Sequence, residues 1–395
     1  MHMDMKNAAQ NRQISRRRLL RTVGGLGLVT AGAVVLRPTV GAFALTHQDA
    51  TPAATPELGE QPDGTHLWRV KVGGMDMENL IDIQAFLPAE ITINAGDAIW
   101  FEFDMMPGFH TVTFAAGQEP PPVLIPDPDA GTPVADAPPT LMLNPEFAFA
   151  VGGDTFDGTE LINSGVDVLR DPSAPPFALT FTAPGTYDYV CAPHLGVMKA
   201  RVTVQEEGSE RPYDQAAYDQ MAEEQYAALV DEGLAAIEEH AEATATERDG
   251  GTTIWEMTAG AGAGQARVFQ FLPKEIEIEV GDTIRWVNHS AVTGEPHTVT
   301  FVSDEEPPED VLVEPQAEGP PKLLQNTLTL LPQGGDVYSG EGYFNSGFIG
   351  EIFPSGSDAY ELTFDTPGTY PYYCILHGGA DGEGMVGTVI VVEPS

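Results

Sequence analysis

Cysteine is almost missing from this chain: 395 residues contain two, Cys191 and Cys374. A disulfide-stapled scaffold is therefore excluded, and the core has to come from apolar burial. Basic residues are scarce too, 18 Lys and Arg against 59 Asp and Glu, and they crowd the start. Residues 1–44 hold seven of them (Lys6, Arg12, Arg16, Arg17, Arg18, Arg21, Arg37) and one acid, Asp4, leaving 11 basic against 58 acidic residues, a net −47, over the remainder. A body that acidic repels phosphate backbones and anionic headgroups, which argues against nucleic-acid or membrane-surface binding. A partner with a basic docking surface fits better, as does life in high salt. Long apolar runs are absent as well. The best candidate, Gly24 to Leu36, is too short to span a bilayer comfortably.

What stands at the amino terminus reads as an export signal. Ser15-Arg16-Arg17-Arg18-Leu19-Leu20 resembles a twin-arginine motif, and Ala42-Phe43-Ala44 offers a small-x-small cleavage site. Residues 1–44 are thus expected to direct export to a periplasmic or extracellular location, with membrane association if the signal stays uncleaved. No cysteine lies near the cleavage site, so a lipid anchor is excluded. Cleavage after Ala44 would expose Leu45-Thr46-His47, whose amine, amide nitrogens and imidazole suit square-planar Cu(II); an incidental tail histidine is the competing reading. Residues 45–64 are expected to form a flexible lead. In an oxidising compartment a Cys191–Cys374 disulfide has to be considered, but it would require two equivalent loops to face one another.

The rest of the chain is written twice. Phe86-Leu-Pro-Ala-Glu-Ile-Thr-Ile-Asn-Ala-Gly-Asp97 matches Phe271-Leu-Pro-Lys-Glu-Ile-Glu-Ile-Glu-Val-Gly-Asp282, with the period-two alternation of half-buried strands around a tight turn. His110-Thr-Val-Thr-Phe matches His297-Thr-Val-Thr-Phe, and Asn163-Ser-Gly matches Asn345-Ser-Gly. Two β domains are expected, over residues 65–206 and 251–395. Each carries a Pro-rich insertion, Glu119 to Pro139 and Glu306 to Pro321, expected to cover a sheet edge in preference to shaping a binding surface. Between the domains, 207–250 is Ala- and Glu-rich, with Tyr218, Met221, Tyr226, Leu229, Leu234 and Ile237 at near-helical spacing. One or two amphipathic helices are expected there, as a spacer packed on one domain, with His240 solvated.

The chemistry lies in a duplicated signature: Cys191-Ala-Pro-His194-Leu-Gly-Val-Met198, and Cys374-Ile-Leu-His377 followed by Met385. A thiolate, two imidazoles and a weak thioether form a ligand set acceptable to both copper oxidation states, so little rearrangement impedes electron transfer. His110, Cys191, His194 and Met198 are the candidate ligands of a first type 1 site, and His297, Cys374, His377 and Met385 of a second. His289 is a poorer alternative to His297, because only His297 matches His110 in context. His66 is expected to be a solvent-exposed strand histidine.

Together, x-Ser-Gly, then Phe-x-x-Pro-Gly-Thr-Tyr-x-Tyr-x-Cys-x-x-His and a final Met before a Val-rich strand, resemble the cupredoxin family of plastocyanin and halocyanin type. The resemblance covers nearly all of 65–205 and 252–394. It implies two tandem Greek-key β-sandwiches joined by a short helical linker, one type 1 copper in each, and electron shuttling between redox protein partners. It also implies electron ports at the exposed edges of His194 and His377. Two departures stand out. Thr111 and Thr298 occupy the place after the first histidine, where many members carry an Asn that pins the ligand loop, and Met385 lies farther from His377 than is usual. Two-domain copper oxidases and nitrite reductases add a second centre, with a His directly before the type 1 Cys. Val190 and Tyr373 stand there, and His47, His66, His240 and His289 form no His-x-His pair, so an enzyme is not expected. Copper storage or delivery is the alternative, with Met75, Met77, Met105 and Met106 as possible Cu(I) thioethers.

Overall fold

The computed structural model describes residues 55–103, 109–130, 139–170, 174–262, 264–290, 295–303, 307–350 and 356–394. The export signal, His47, and the Met105–Met106 pair lie outside the described residues.

Strands dominate, as the alternating pattern predicts. In Gly384–Val392 every second residue is buried, beginning with Met385, and in Lys199–Gln205 Ala200, Val202 and Val204 point inward. The first repeat folds into two facing sheets. One runs Gly59–Glu60, His66–Val72, Ala98–Phe103, Ala178–Phe181, Thr155–Phe156; the other runs Ile162–Asn163, Thr113–Phe114, Gly185–Val190, Lys199–Gln205, Glu90–Asn94. Trp68, Ile91, Phe101, Phe114, Phe181 and Val202 fill the space between them, and Cys191 and Met198 belong to the same cluster. The second repeat builds the same sandwich, with Cys374 and Met385 in its core. The fold is therefore mainly β, two tandem β-sandwiches with a helical link, as the resemblance implies.

Three elements join the repeats more closely than a flexible spacer would. Ile81–Ile83 of the first pairs with Ala266–Leu272 of the second, so one sheet crosses the boundary, with Asp82 opposite Arg267. The Pro-rich insertions pair with each other instead of covering their own sheet edges. Leu124–Pro126 and Leu141–Leu143 join Lys322–Gln325 and Val311–Glu314 in a four-stranded sheet, with Met142 opposite Leu324. Lys322 Nζ reaches Asp127 Oδ1 and Asp129 Oδ2, each at 2.8 Å. Asp82 and Arg267 each stand four residues before the repeated Phe-Leu-Pro, and Met142 and Leu324 each stand two before a helix-capping Asn (Asn144, Asn326). Equivalent residues meeting their equivalents is the pattern of a two-fold symmetric dimer, here fused in one chain.

The third joint is a single helix, Gln215–Glu239, whose Asp214 cap accepts a hydrogen bond from the Ala217 amide at 2.9 Å. It does not pack on one repeat as expected. Ala222, Tyr226, Leu229 and Ile237 cover Ile81, Ile83 and Leu87 of the first repeat and Ala261, Val268 and Leu272 of the second. The shared sheet supplies one continuous apolar floor, and a helical stripe lying on it necessarily touches both halves. Leu234 is off that stripe and 39% exposed. His240 stacks on His289, with ring centroids 4.2 Å apart.

Candidate metal centres

The strand ending at Val190 delivers Cys191, and a tight turn then brings His194 back, its amide donating to the Cys191 carbonyl at 3.1 Å. His110 enters from the opposite end of the neighbouring strand, ahead of Thr113–Phe114, which pairs with Val190. Three donor atoms meet. His110 Nδ1 and His194 Nδ1 are 3.2 Å apart, and Cys191 Sγ lies 3.7 and 3.4 Å from them. In the second repeat His297 Nδ1 and His377 Nδ1 are 3.1 Å apart, with Cys374 Sγ 3.5 Å from His377 Nδ1. A point equidistant from the first three atoms sits about 2 Å from each, the usual metal–imidazole length. Both cysteines are fully buried and unbridged, so the disulfide is not formed.

Met198 and Met385 are also fully buried beside the cysteines. In the first repeat one helical turn suffices: the Met198 amide donates to the His194 carbonyl at 2.9 Å. In the second, the extra residues form a hairpin. Gly378 pairs with Gly384 and the Gly379 amide donates to the Glu383 carbonyl at 3.0 Å, so Met385 returns to the equivalent strand start despite its longer spacing.

The threonines after the first histidines take over the pinning that Asn was expected to provide. Thr111 Oγ1 accepts the Ala192 amide at 2.8 Å and Thr298 Oγ1 accepts the Ile375 amide at 2.8 Å, tying the His strand to the Cys loop. Their own amides donate to Cys191 Sγ and Cys374 Sγ, both at 3.3 Å. Each sulfur thus has a fixed donor, which tempers the charge it offers a metal. The Asn-Ser-Gly repeat braces the same strand: Ser164 Oγ accepts the Val112 amide and Ser346 Oγ the Val299 amide, each at 2.8 Å.

Burial polarises the titratable groups. It drives His110 down to about 3, helped by the neighbouring His194, and it also lowers His297, with His377 adding to the effect. Burial also disfavours the cationic forms of His194 and His377, but the adjacent cysteine sulfurs and Glu295 outweigh it and hold both up to about 10. Against its own burial, Cys374 is held well below the ordinary thiol range by His377 and His297. Each cluster therefore pairs one neutral imidazole with one that must release a proton to bind a metal.

A model of copper-binding proteins of the plastocyanin/azurin family matches residues 167–205 and 257–392. Plastocyanin from Scenedesmus fuscus is 31% identical over 134 residues, covering 33% of this chain and 93% of its own. Vicia faba plastocyanin is 30% identical over 34% of this chain and 98% of its own. A copper(I) structure of an amicyanin mutant matches 38% of this chain and 93% of its own at 21% identity, with a TM-score of 0.20. The chain belongs to the plastocyanin/azurin family of copper-binding proteins. Its two His-Cys-His clusters fit two type 1 copper ions, because in each a soft sulfur and two imidazole nitrogens lie within 4.8 Å of one another around a fully buried cysteine.

The structure brings together His110, Cys191 and His194, and separately His297, Cys374 and His377. His289 is elsewhere, against His240. The implied electron ports are the point of disagreement. His194 is 8% exposed, and both it and His377 turn Nε2 inward to Glu295. Glu295 stands against both edges. Sequence reasoning missed three residues at the sites. Glu295 lay unflagged between the His-bearing motifs. Gly73 (φ 73°) and Gly260 (φ 84°) were also missed, although a Cβ at either would strike the His110 or His297 ring, within 2.4 and 2.0 Å of Nε2.

Proposed function

We propose that this chain is an exported electron-transfer protein holding two type 1 copper ions, one by His110, Cys191, His194 and Met198 and the other by His297, Cys374, His377 and Met385. The observation that carries the reading is the repeated triangle of one sulfur and two Nδ1 atoms, each built around a fully buried cysteine. Copper, when bound, supplies one-electron chemistry between Cu(I) and Cu(II). The protein's part is to hold a donor geometry suited to both states, exclude water through the core around Cys191 and Cys374, and steady each sulfur with a threonine amide.

The proposed partners are redox proteins with a basic docking face, in keeping with a net charge of −41. The export signal in 1–44 and domains at 65–206 and 251–395 are part of the same proposal. Exchange of metal with a recipient, as storage or delivery requires, is disfavoured by cysteines at 0% exposure. Copper-loaded protein is expected to carry two coppers per chain and an intense blue thiolate-to-copper band. Cys191→Ser and Cys374→Ser are each expected to remove one copper and about half the band. A colourless copper protein would overturn the reading.

A further inference from the structure

The outer nitrogens of His194 and His377 point at one shared group. Glu295 Oε2 is 3.5 Å from His194 Nε2, and its Oε1 is 3.2 Å from His377 Nε2. The carboxylate is 6% exposed. Gln84, from the first repeat, donates to Oε2 at 2.6 Å, and Asn288 Nδ2 holds the Glu295 carbonyl at 2.9 Å. Because Nδ1 of each ring faces its own cluster, Nε2 carries the remaining ring proton, and that proton faces the carboxylate. The sequence places Gly108 in the equivalent position, two residues before His110.

Burying a carboxylate costs several kcal/mol before pairing, and an apolar side chain would fill the same space more cheaply. Packing alone therefore does not account for Glu295. We infer that Glu295 couples the two metal centres, giving a route for electron exchange from His194 through its carboxylate, which faces both rings, to His377. This deepens the copper reading above and rests on it. In the exchange one centre passes from Cu(I) to Cu(II) as the other passes from Cu(II) to Cu(I). One electron moves, no covalent bond forms or breaks, and both Nε2 protons stay on their rings. The histidine edges then serve internal exchange, and an external partner has to reach the molecule at another face.

Glu295→Gln keeps the volume and removes the charge. Paired with Cys374→Ser it reports on the first centre alone, and with Cys191→Ser on the second alone. Voltammetry is expected to show both reduction potentials raised, since an anion shared by both centres stabilises Cu(II) more than Cu(I). Glutamine offers one acceptor oxygen where the carboxylate offers two, and it turns an amide NH2 toward the other ring. In a Met198→Gln background, whose altered axial donor sets the two bands apart, the concentration-independent relaxation after pulsed partial reduction is expected to slow at least tenfold. Gln84→Leu is the second variant, should the first fail to fold. It strips a donor from the carboxylate and is expected to lower both potentials. A shift confined to the second centre, or an unchanged relaxation, would overturn the coupling while leaving two blue coppers in place. Loss of the blue band already in the unsubstituted protein would instead defeat the functional reading beneath it.

Discussion

At the residue scale the sites depend on side chains that never touch the metal position. Thr111 accepts the Ala192 amide and sends its own amide to Cys191 Sγ, so one residue fixes the start of the Cys loop twice over. Thr111→Val keeps the shape and leaves the Ala192 amide buried without that acceptor. A loss of about 1–3 kcal/mol is expected in denaturant titration, with faster copper release to a chelator. Asp97 is the structural counterpart of such a tie. Its carboxylate accepts from the His66 and Asn94 amides, Trp68 Nε1 and the Arg211 guanidinium. Although burial opposes it, these donors hold the Asp97 carboxyl below its usual value. A lowered folded pKa contributes stability above the unfolded value near 4 that is lost as pH falls through the folded one. Asp97→Asn is therefore expected to destabilise the protein most at neutral pH, and the gap from the unsubstituted protein should narrow below about pH 4 in acid-unfolding curves.

At the element scale the helix Gln215–Glu239 shows how packing reverses a propensity rule. Gly233 lies in mid-helix, where alanine normally gains about 0.5–1 kcal/mol. A Cβ there would come within 2.5 Å of Ile81 Cγ2 on the shared sheet. Gly233→Ala is accordingly expected to lower stability by about 1 kcal/mol or more, read from the denaturation midpoint. A stabilised variant would mean that the helix sits farther from Ile81. The insertions carry a parallel lesson. Each is too short and Pro-rich to make a sheet by itself, but Met142 opposite Leu324 lets two hairpins complete one another, and Leu323 of one packs with Ala192 in the other repeat's Cys loop.

At the scale of the whole molecule, a crossing sheet, a composite sheet and a spanning helix make the two sandwiches one structure. Metal-free protein is expected to unfold in a single calorimetric transition, despite having two cores. Two resolved transitions would show that the joints are weaker than the cores. Among the described residues no helix is long and apolar enough to cross a membrane. The burial of His194 and His377 between the repeats changes what docking can mean here, because a partner cannot approach either copper along the edge that the family resemblance implied.

The sequence by itself determined whatever repeats within one half: the alternating strands, the Cys-x-x-His loops, and the upstream His-Thr-Val-Thr-Phe strands. Each of these rests on local periodicity or on donor chemistry that the ligand set imposes. The place of Met385 at a strand start was legible in spite of its spacing from His377, because that strand matches the one after Met198. Only the tertiary structure decided how the halves face one another. Asp82 against Arg267, Met142 against Leu324 and Glu295 between two imidazoles are contacts between residues far apart in the chain, and no period or motif encodes them. A repeat specifies its own core through alternation. A surface between repeats depends on shape and charge meeting across a symmetry axis, which becomes visible only once both halves are folded.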